Sequence, residues 1–184
     1  MNMNLLRYED LPIINGKLVR LRPITSADTP DIVRWRNDIE VQQFFIFREA
    51  FTHEMHENWL NSKVYPGHVI QYIIEDMCSG QSVGSVYFRD IDRQSESAEY
   101  GIFIGEASAR AKGFGSETAR LFTDFGLDIL GLHRISLRLL SDNSAARHSY
   151  ENAGFVTEGL FRDMVKLDGK YTDIVFMAKL AKED

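Results

Sequence analysis

A glycine-rich segment between a predicted strand and a predicted helix is the part of the sequence best suited to hold an anion. It runs Arg110-Ala111-Lys112-Gly113-Phe114-Gly115-Ser116. Glycine lets the main chain approach a ligand closely, and the free amides at the start of a helix attract negative charge. The spacing is neither that of a P-loop nor that of a dinucleotide-binding loop. The segment predicts a phosphate or pyrophosphate site, with a glycine-containing turn and solvated charges as the alternative.

A second segment places a helix cap and a phenol two turns apart. Asn143 directly follows a predicted strand, which is a natural position for an N-cap. Tyr150 comes seven residues later and therefore lies on the same face of the helix. Taken singly, Tyr150 would be explained as a core tyrosine with its hydroxyl satisfied. The interpretation of Tyr150 therefore depends on considering this segment together with the glycine segment.

The hydrophobic pattern predicts a fold that could bring these two segments together. Runs of period 2 and period 3.6 give the order β-α-α-β-β-β-α-β-α-β-β. Thr25–Asp28 fits a capping box before the first helix, and Asp168-Gly169 marks the final hairpin. The predicted fold class is α/β (α+β), a single domain with a mixed, mostly antiparallel sheet flanked by four helices. Residues 1–16 are expected to form a lead-in segment, and residues 17–184 the domain itself.

Composition narrows the class of protein and of partner. The 184 residues are 44% hydrophobic and 26% charged, as in ordinary globular domains, and the net charge of −6 argues against nucleic acid as a partner. Cys78 is the only cysteine and is expected to be structural, because no basic neighbour would activate it. Five scattered histidines give no metal-ligand spacing, so no metal is expected. Without a visible secretory signal or transmembrane stretch, we expect a cytoplasmic protein with no membrane partner.

The two segments together resemble the GCN5-related N-acetyltransferase (GNAT) superfamily. Its signature is R/Q-x-x-G-x-G/A at the start of the central helix, followed downstream by N-x-x-A-x-x-x-Y-x-x-x-G-F. The matching residues here are Arg110, Gly113, Gly115, Asn143, Ala146, Tyr150, Gly154 and Phe155. The similarity in element order extends from about Lys17 to Leu180. It implies an acetyltransferase domain that uses acetyl-CoA as co-substrate and acetylates the primary amine of a small molecule.

The resemblance also implies a role for each part of the site. The glycine segment would hold the CoA pyrophosphate through its backbone amides, and Asn143 would contact the pantetheine arm or order the loop. The pantetheine would pair with main-chain groups of Phe103, Ile104 and Gly105. Tyr150 would stand near the thioester sulfur, where a phenol can protonate the leaving thiolate. The amine would attack directly in a ternary complex, with a backbone amide near Ile104 as oxyanion donor.

The general base is less clearly marked. Some relatives that acetylate protein N-termini carry a Glu on the strand before the Asn-Tyr helix, but Arg138 occupies that place here. Glu99 is one candidate, on the same strand face as Gly101 and Phe103, with a strand-edge ion pair as the alternative. His56 is a second candidate, because imidazole titrates near neutrality.

The N-terminal helices are similar to those of the amino-sugar N-acetyltransferases of the pseudaminic-acid pathway, which acetylate an amine on a UDP-linked deoxysugar. The similar residues are Trp35-Arg36-Asn37, Phe44-Phe45-Ile46-Phe47 and Thr52-His53-Glu54-Met55-His56-Glu57-Asn58-Trp59. By this resemblance Arg36 and His56 would face the sugar nucleotide, since a cation suits a diphosphate. The aromatic run could stack on a uracil or a sugar, with ordinary core packing as the alternative.

Other functions remain open at this stage. The same outline resembles the ribosomal-protein N-terminal acetyltransferases and the polyamine acetyltransferases. A polyamine site would need several carboxylates, which Glu49, Glu54 and Glu57 could supply. A non-catalytic acyl-CoA-binding domain is a further alternative, although pure binding needs no acid such as Tyr150. The antiparallel C-terminal strands could support a homodimer.

Overall fold

The computed structural model describes residues 6–182 and contains one sheet with helices on both faces. The strands are β1 (Ile14–Asn15), β2 (Val19–Pro23), β3 (Ile70–Asp76), β4 (Ser82–Asp92), β5 (Ser97–Ile104), β6 (Arg134–Leu140), β7 (Val156–Leu167) and β8 (Lys170–Leu180). The α-helices are α1 (Thr29–Asn37), α2 (Ile39–Gln42), α3 (His53–Trp59), α4 (Phe114–Asp124) and α5 (Ser144–Asn152). One π-helical turn extends α3 (Leu60–Val64) and another extends α4 (Phe125–Ile129).

The sheet is mixed and mostly antiparallel, as predicted, in the order β1-β2-β3-β4-β5-β6-β8-β7. Only β5 and β6 pair in parallel, and their ladder joins Ser97–Glu99 to Arg134–Ser136. Beyond Glu99 the two strands diverge, so the remaining edge of β5 faces a gap in the sheet. That gap positions the candidate site.

The structure has five α-helices in residues 6–182, where the sequence predicted four. The additional helix, α2, has four residues, which is too short to show a helical repeat in the sequence. Asp38 caps it by accepting from the Glu40 amide. The capping box predicted at Thr25–Asp28 is present and leads into α1 through a short 3₁₀ turn.

The lead-in segment expected over residues 1–16 is partly built into the sheet. Residues 1–5 lie outside the described residues, but Ile14–Asn15 pairs with β2 as an edge strand. The Tyr72 hydroxyl donates to the Pro12 carbonyl at 2.9 Å. The Glu117 carboxylate accepts from the three backbone amides of residues 17–19, which fastens α4 to the start of β2.

Two apolar clusters hold the helices on the sheet. On one face α4 packs through Phe122, whose ring stacks on Phe88 at 4.3 Å between centroids. On the other face Trp35 of α1 packs against Phe103 of β5, with ring centroids 6.1 Å apart. Each buried aromatic of this kind contributes about 3–5 kcal/mol relative to alanine. In residues 6–182 no helix combines the length and the apolar character that crossing a membrane requires.

Candidate active site

A cleft of about 570 Å³ opens where β5 and β6 diverge. Its walls come from the β5 edge, the loop before α4, the start of α4, and one face of α5. The end of α1, the helix α2 and the aromatic segment Phe44–Phe47 close the other side. We call this space the central cleft. It brings both sequence motifs to one place, although they are separated by more than one element in the chain.

The glycine segment forms the mouth of the central cleft. Gly113 is the N-cap of α4 with φ +84°, a left-handed conformation that favours glycine, and it brings no side-chain acceptor to the helix end. The first amides of α4 therefore remain available to an anion. Of the seven predicted residues, all but Lys112, which is exposed, line the cleft. Arg110 is held at the mouth by Glu40, at 2.7 Å.

The β5 edge provides two of the three residues expected to pair with pantetheine. Phe103 and Ile104 line the central cleft. Gly105 is buried behind it, where a Cβ atom would lie 2.1 Å from the ring of Trp35. The structure therefore gives Gly105 a different role, which is to let α1 approach the end of β5.

Asn143 and Tyr150 both reach the cleft from α5. The Asn143 side chain caps the helix by accepting from the Ala146 amide at 3.1 Å. The Tyr150 ring is set by edge contacts with Tyr100 and Phe155, each with centroids 5.9 Å away. Burial, and after it the neighbouring Tyr87 hydroxyl, raises the pKa of Tyr150 well above that of a free phenol. The hydroxyl stays protonated at neutral pH and can act as a proton donor.

Glu99 lines the cleft as part of an ion cluster. Its carboxylate accepts from Arg89 at 2.5 Å and from Arg138 at 2.8 Å. This is the strand ion pair that the sequence left open as an alternative to a general base. To take a proton from the acceptor, Glu99 would have to release one of these two guanidinium groups.

His56 is placed away from the cleft, and its predicted contact with the acceptor is withdrawn. Its side chain is fully buried between α3 and α1, with Nδ1 2.8 Å from the Thr29 hydroxyl. Burial lowers the pKa of His56 to about 4, so the imidazole is neutral at physiological pH. By contrast, Arg36 does line the cleft.

Two further arginines and a tyrosine of the cleft were not predicted as site residues. Arg89 and Tyr87 lie on β4 and Arg138 lies on β6, all lining the central cleft. For Arg138 the sequence signal was its position, where some relatives carry a Glu. For Tyr87 the signal is Gly101, whose Cβ would lie 2.3 Å from the Tyr87 ring. Cys78 is exposed in the β3–β4 hairpin, outside the cleft.

Comparison with known proteins shows the family to which the chain belongs. Residues 19–156 match the family model described as an acetyltransferase (GNAT) domain. Spermidine N(1)-acetyltransferase of Vibrio cholerae serotype O1 is 26% identical over 161 residues, covering 88% of this chain and 91% of its own. The enzyme of the same name from Escherichia coli K12 is 26% identical over 160 residues, covering 86% and 84%.

A solved structure agrees with these relatives. The crystal structure of spermidine N-acetyltransferase from Vibrio cholerae in complex with CoA and spermine has a TM-score of 0.83 and 25% sequence identity. The match covers 90% of this chain and 96% of that chain. The resemblance at superfamily level is therefore confirmed, whereas these relatives lend no support to the finer resemblance to amino-sugar enzymes.

Proposed function

The chain belongs to the GNAT acetyltransferase family and is an acetyl-CoA-dependent N-acetyltransferase, and we propose that it acetylates the primary amine of a small molecule by direct transfer. One observation carries this proposal: the uncapped start of α4, the free edge of β5 and the Tyr150 hydroxyl all line the same cleft. An anion-binding helix end and an edge for main-chain pairing suit the binding of acetyl-CoA, and a proton donor suits departure of the thiolate.

In the proposed reaction the uncharged amine nitrogen attacks the thioester carbonyl carbon. The C–S bond breaks as the C–N bond forms, and the Tyr150 hydroxyl donates its proton to the departing sulfur. The tyrosine recovers a proton from the ammonium formed on the acceptor, through water or through a base such as Glu99. The main chain near Ile104 would stabilise the oxyanion. Much of the acceleration would come from holding both substrates in one cleft.

A polyamine is one candidate acceptor, because both curated relatives described above are spermidine N(1)-acetyltransferases. The carboxylates that the sequence suggested for such a site, Glu49, Glu54 and Glu57, are exposed and do not line the central cleft. A polyamine would therefore have to rely on Glu40 and Glu99, both already paired with arginine.

An amino-sugar nucleotide is the second candidate, favoured by the presence of Arg36 in the cleft. A protein N-terminus is the third, and one contact weighs against it. Arg48, from the segment after α2, pairs with Asp168 at the tip of the β7–β8 hairpin at 2.5 Å. This ion pair bridges the space between the N-terminal helices and the last hairpin, where a peptide groove would need to be open.

Release of free thiol from acetyl-CoA tests the proposal. The amines would be spermidine, a UDP-4-amino-dideoxysugar and an N-terminal Ala/Ser peptide, with the acetylated product identified by mass spectrometry. Acetylation of at least one small amine, well above the rate without amine, is expected. Acetylation of the peptide alone would contradict the small-molecule assignment. The homodimer remains a prediction, which light scattering of the purified protein would test.

A further inference from the structure

The positive charge of the central cleft is concentrated at one end. Among residues 6–182, the charged residues that line the cleft are four arginines and two glutamates, whereas the whole chain carries a net charge of −6. Arg110 and Glu40 pair with each other at the mouth. Of the remaining three arginines, Arg36, Arg89 and Arg138, the last two pair with Glu99, and Arg89 also lies 3.8 Å from the exposed Asp90 carboxylate. We call these three residues the arginine cluster; with Glu99 it has a formal charge of +2.

The arginine cluster is separate from the part of the cleft suited to the CoA pyrophosphate. Glu99 lies five residues before Ile104 along β5, which is about 16 Å at the rise of an extended strand. The glycine segment lies beyond Ile104, at the opposite end of that edge. The register pairs Arg89 with Glu99, and Arg138 lies two residues beyond Ser136, the β6 partner of Glu99. Arg89, Glu99 and Arg138 therefore project from the sheet face that α1 covers, where the acceptor would enter.

Arg36 is the member of the cluster with unused binding capacity. Its guanidinium carbon lies 4.5 Å from the Phe51 ring centre and 5.0 Å from that of Phe45, and its Nε is buried without a hydrogen-bond partner. Within residues 6–182 it forms no ion pair. Burial lowers the pKa of Arg36, the nearby Tyr87 partly opposes this, and the Arg89 charge lowers it further. The Nε of Arg138 is likewise buried and unpaired. A buried N–H group without an acceptor costs free energy, so an anion that accepts from these groups would stabilise this arrangement.

We infer that the arginine cluster binds an oxyanion carried by the amine substrate, so that the acceptor is a primary amine bearing a phosphate or a carboxylate. Resting on the proposed function, this inference specifies the substrate class of the same cleft. Arginine suits the role because its planar fork of N–H groups matches both phosphate and carboxylate oxygens. A polyamine would bring further positive charge next to three guanidinium groups, of which Glu99 can neutralise only one.

Binding of the anion alone tests the inference without knowledge of the full acceptor. The protein would be saturated with CoA, so that the glycine segment is occupied, and then titrated by calorimetry with uridine diphosphate, malonate or spermidine. We expect at least one of the two anions to bind more tightly than spermidine. The comparison of diphosphate with dicarboxylate shows which oxyanion is preferred. Binding of spermidine alone, or of none of the three, would overturn the inference.

Variants of the cluster locate the anion. Arg36→Gln should weaken the bound anion roughly 10- to 100-fold, the range expected for losing a charge-assisted hydrogen bond. Arg34→Gln is the matched control: Arg34 is on the same helix, but its side chain is 54% exposed and does not line the cleft. Equal anion affinity in Arg36→Gln and wild type would overturn the inference. If Arg36→Gln does not fold, as judged by circular dichroism, Arg138→Gln replaces it with the same expectation.

Turnover separates this inference from the proposed function. With acetyl-CoA, 2-aminoethyl phosphate and β-alanine would be compared with ethanolamine, which carries the same amine without an anion. We expect kcat/KM to favour an anionic amine at least 10-fold in the wild type, and to lose that preference in Arg36→Gln. Equal use of ethanolamine, or a preference for spermidine, would refute the anionic acceptor but leave the acetyltransferase intact. Loss of CoA binding or of transfer to every amine would instead refute the proposed function.

Discussion

Removing the hydroxyl of Tyr150 should abolish most of the transfer rate while leaving the cleft intact. In the structure the Tyr150 ring is fixed by Tyr100 and Phe155, and these ring contacts do not involve its oxygen. Tyr150→Phe therefore keeps the packing and removes only the proton donor. A positioned general acid contributes about 10²- to 10⁴-fold, or roughly 2.7–5.5 kcal/mol of transition-state stabilisation. We expect kcat to fall by that factor. The affinity for CoA should change less than about twofold, because the ring contacts that shape the cleft are kept.

The assay is thiol release at saturating acetyl-CoA and amine, with CoA affinity measured separately by calorimetry. Tyr72→Phe is the matched control, because Tyr72 is also buried but lies in the core, where its hydroxyl donates to Pro12. That variant should lose about 0.5–1.5 kcal/mol of stability and keep its rate, the opposite pattern to Tyr150→Phe.

The pH profile provides a second test of the same role. Burial disfavours the phenolate and raises the pKa of Tyr150 above 10, the ordinary value for tyrosine. The protonated form should persist as the pH rises, so ionisation of Tyr150 should cause no fall in kcat up to about pH 10.

A Tyr150→Phe variant that retains kcat within about threefold would refute the role of Tyr150 as an acid. A parallel loss of CoA affinity and kcat would indicate a structural role instead.

Three further changes test how the fold supports the site. Glu117→Gln should destabilise the protein by about 1–3 kcal/mol, since three backbone amides lose a charged acceptor. Burial opposes ionisation of Glu117, but the hydrogen bonds from those amides outweigh it and lower the pKa of the carboxyl. The stabilisation by Glu117 is therefore present above about pH 4.5 and is lost as the pH falls through the folded pKa. A difference in stability between the two proteins, measured by urea titration, that stays constant from pH 7 to pH 3 would contradict this. Gly105→Ala should cost about 1–3 kcal/mol or more through its clash with Trp35, whereas Gly115→Ala, whose nearest neighbour is 3.9 Å away, should not lower the melting temperature. Cys78→Ser should leave kcat unchanged, and a covalently acetylated Cys78 trapped by mass spectrometry would contradict direct transfer.

The parts of the site that depend on local sequence were predictable. The glycine segment, the Asn143 cap and the position of Tyr150 follow from neighbouring residues, and the structure places them in one cleft. The strands with clear apolar patterns, from β2 to β8, occur in the predicted order. The short elements β1 and α2 were not predicted, because two to four residues carry no periodic signal.

The parts that depend on strand register were not predictable from local patterns. Glu99 meets Arg89 and Arg138 only because β4, β5 and β6 align at that level of the sheet. His56 illustrates the opposite error, since an ionisable side chain on a polar helix was taken for a site residue although it packs against α1. Residue type alone does not distinguish a buried histidine from an accessible one.

The central claim is most directly tested by incubating the protein with acetyl-CoA and a mixture of anionic, neutral and polycationic small amines, and measuring free thiol and acetylated product together. We expect equal amounts of thiol and N-acetylated amine, with most of the rate lost in Tyr150→Phe and the anionic amine preferred. Thiol release without an acetylated small amine, or CoA binding with no transfer to any member of the mixture, would contradict it.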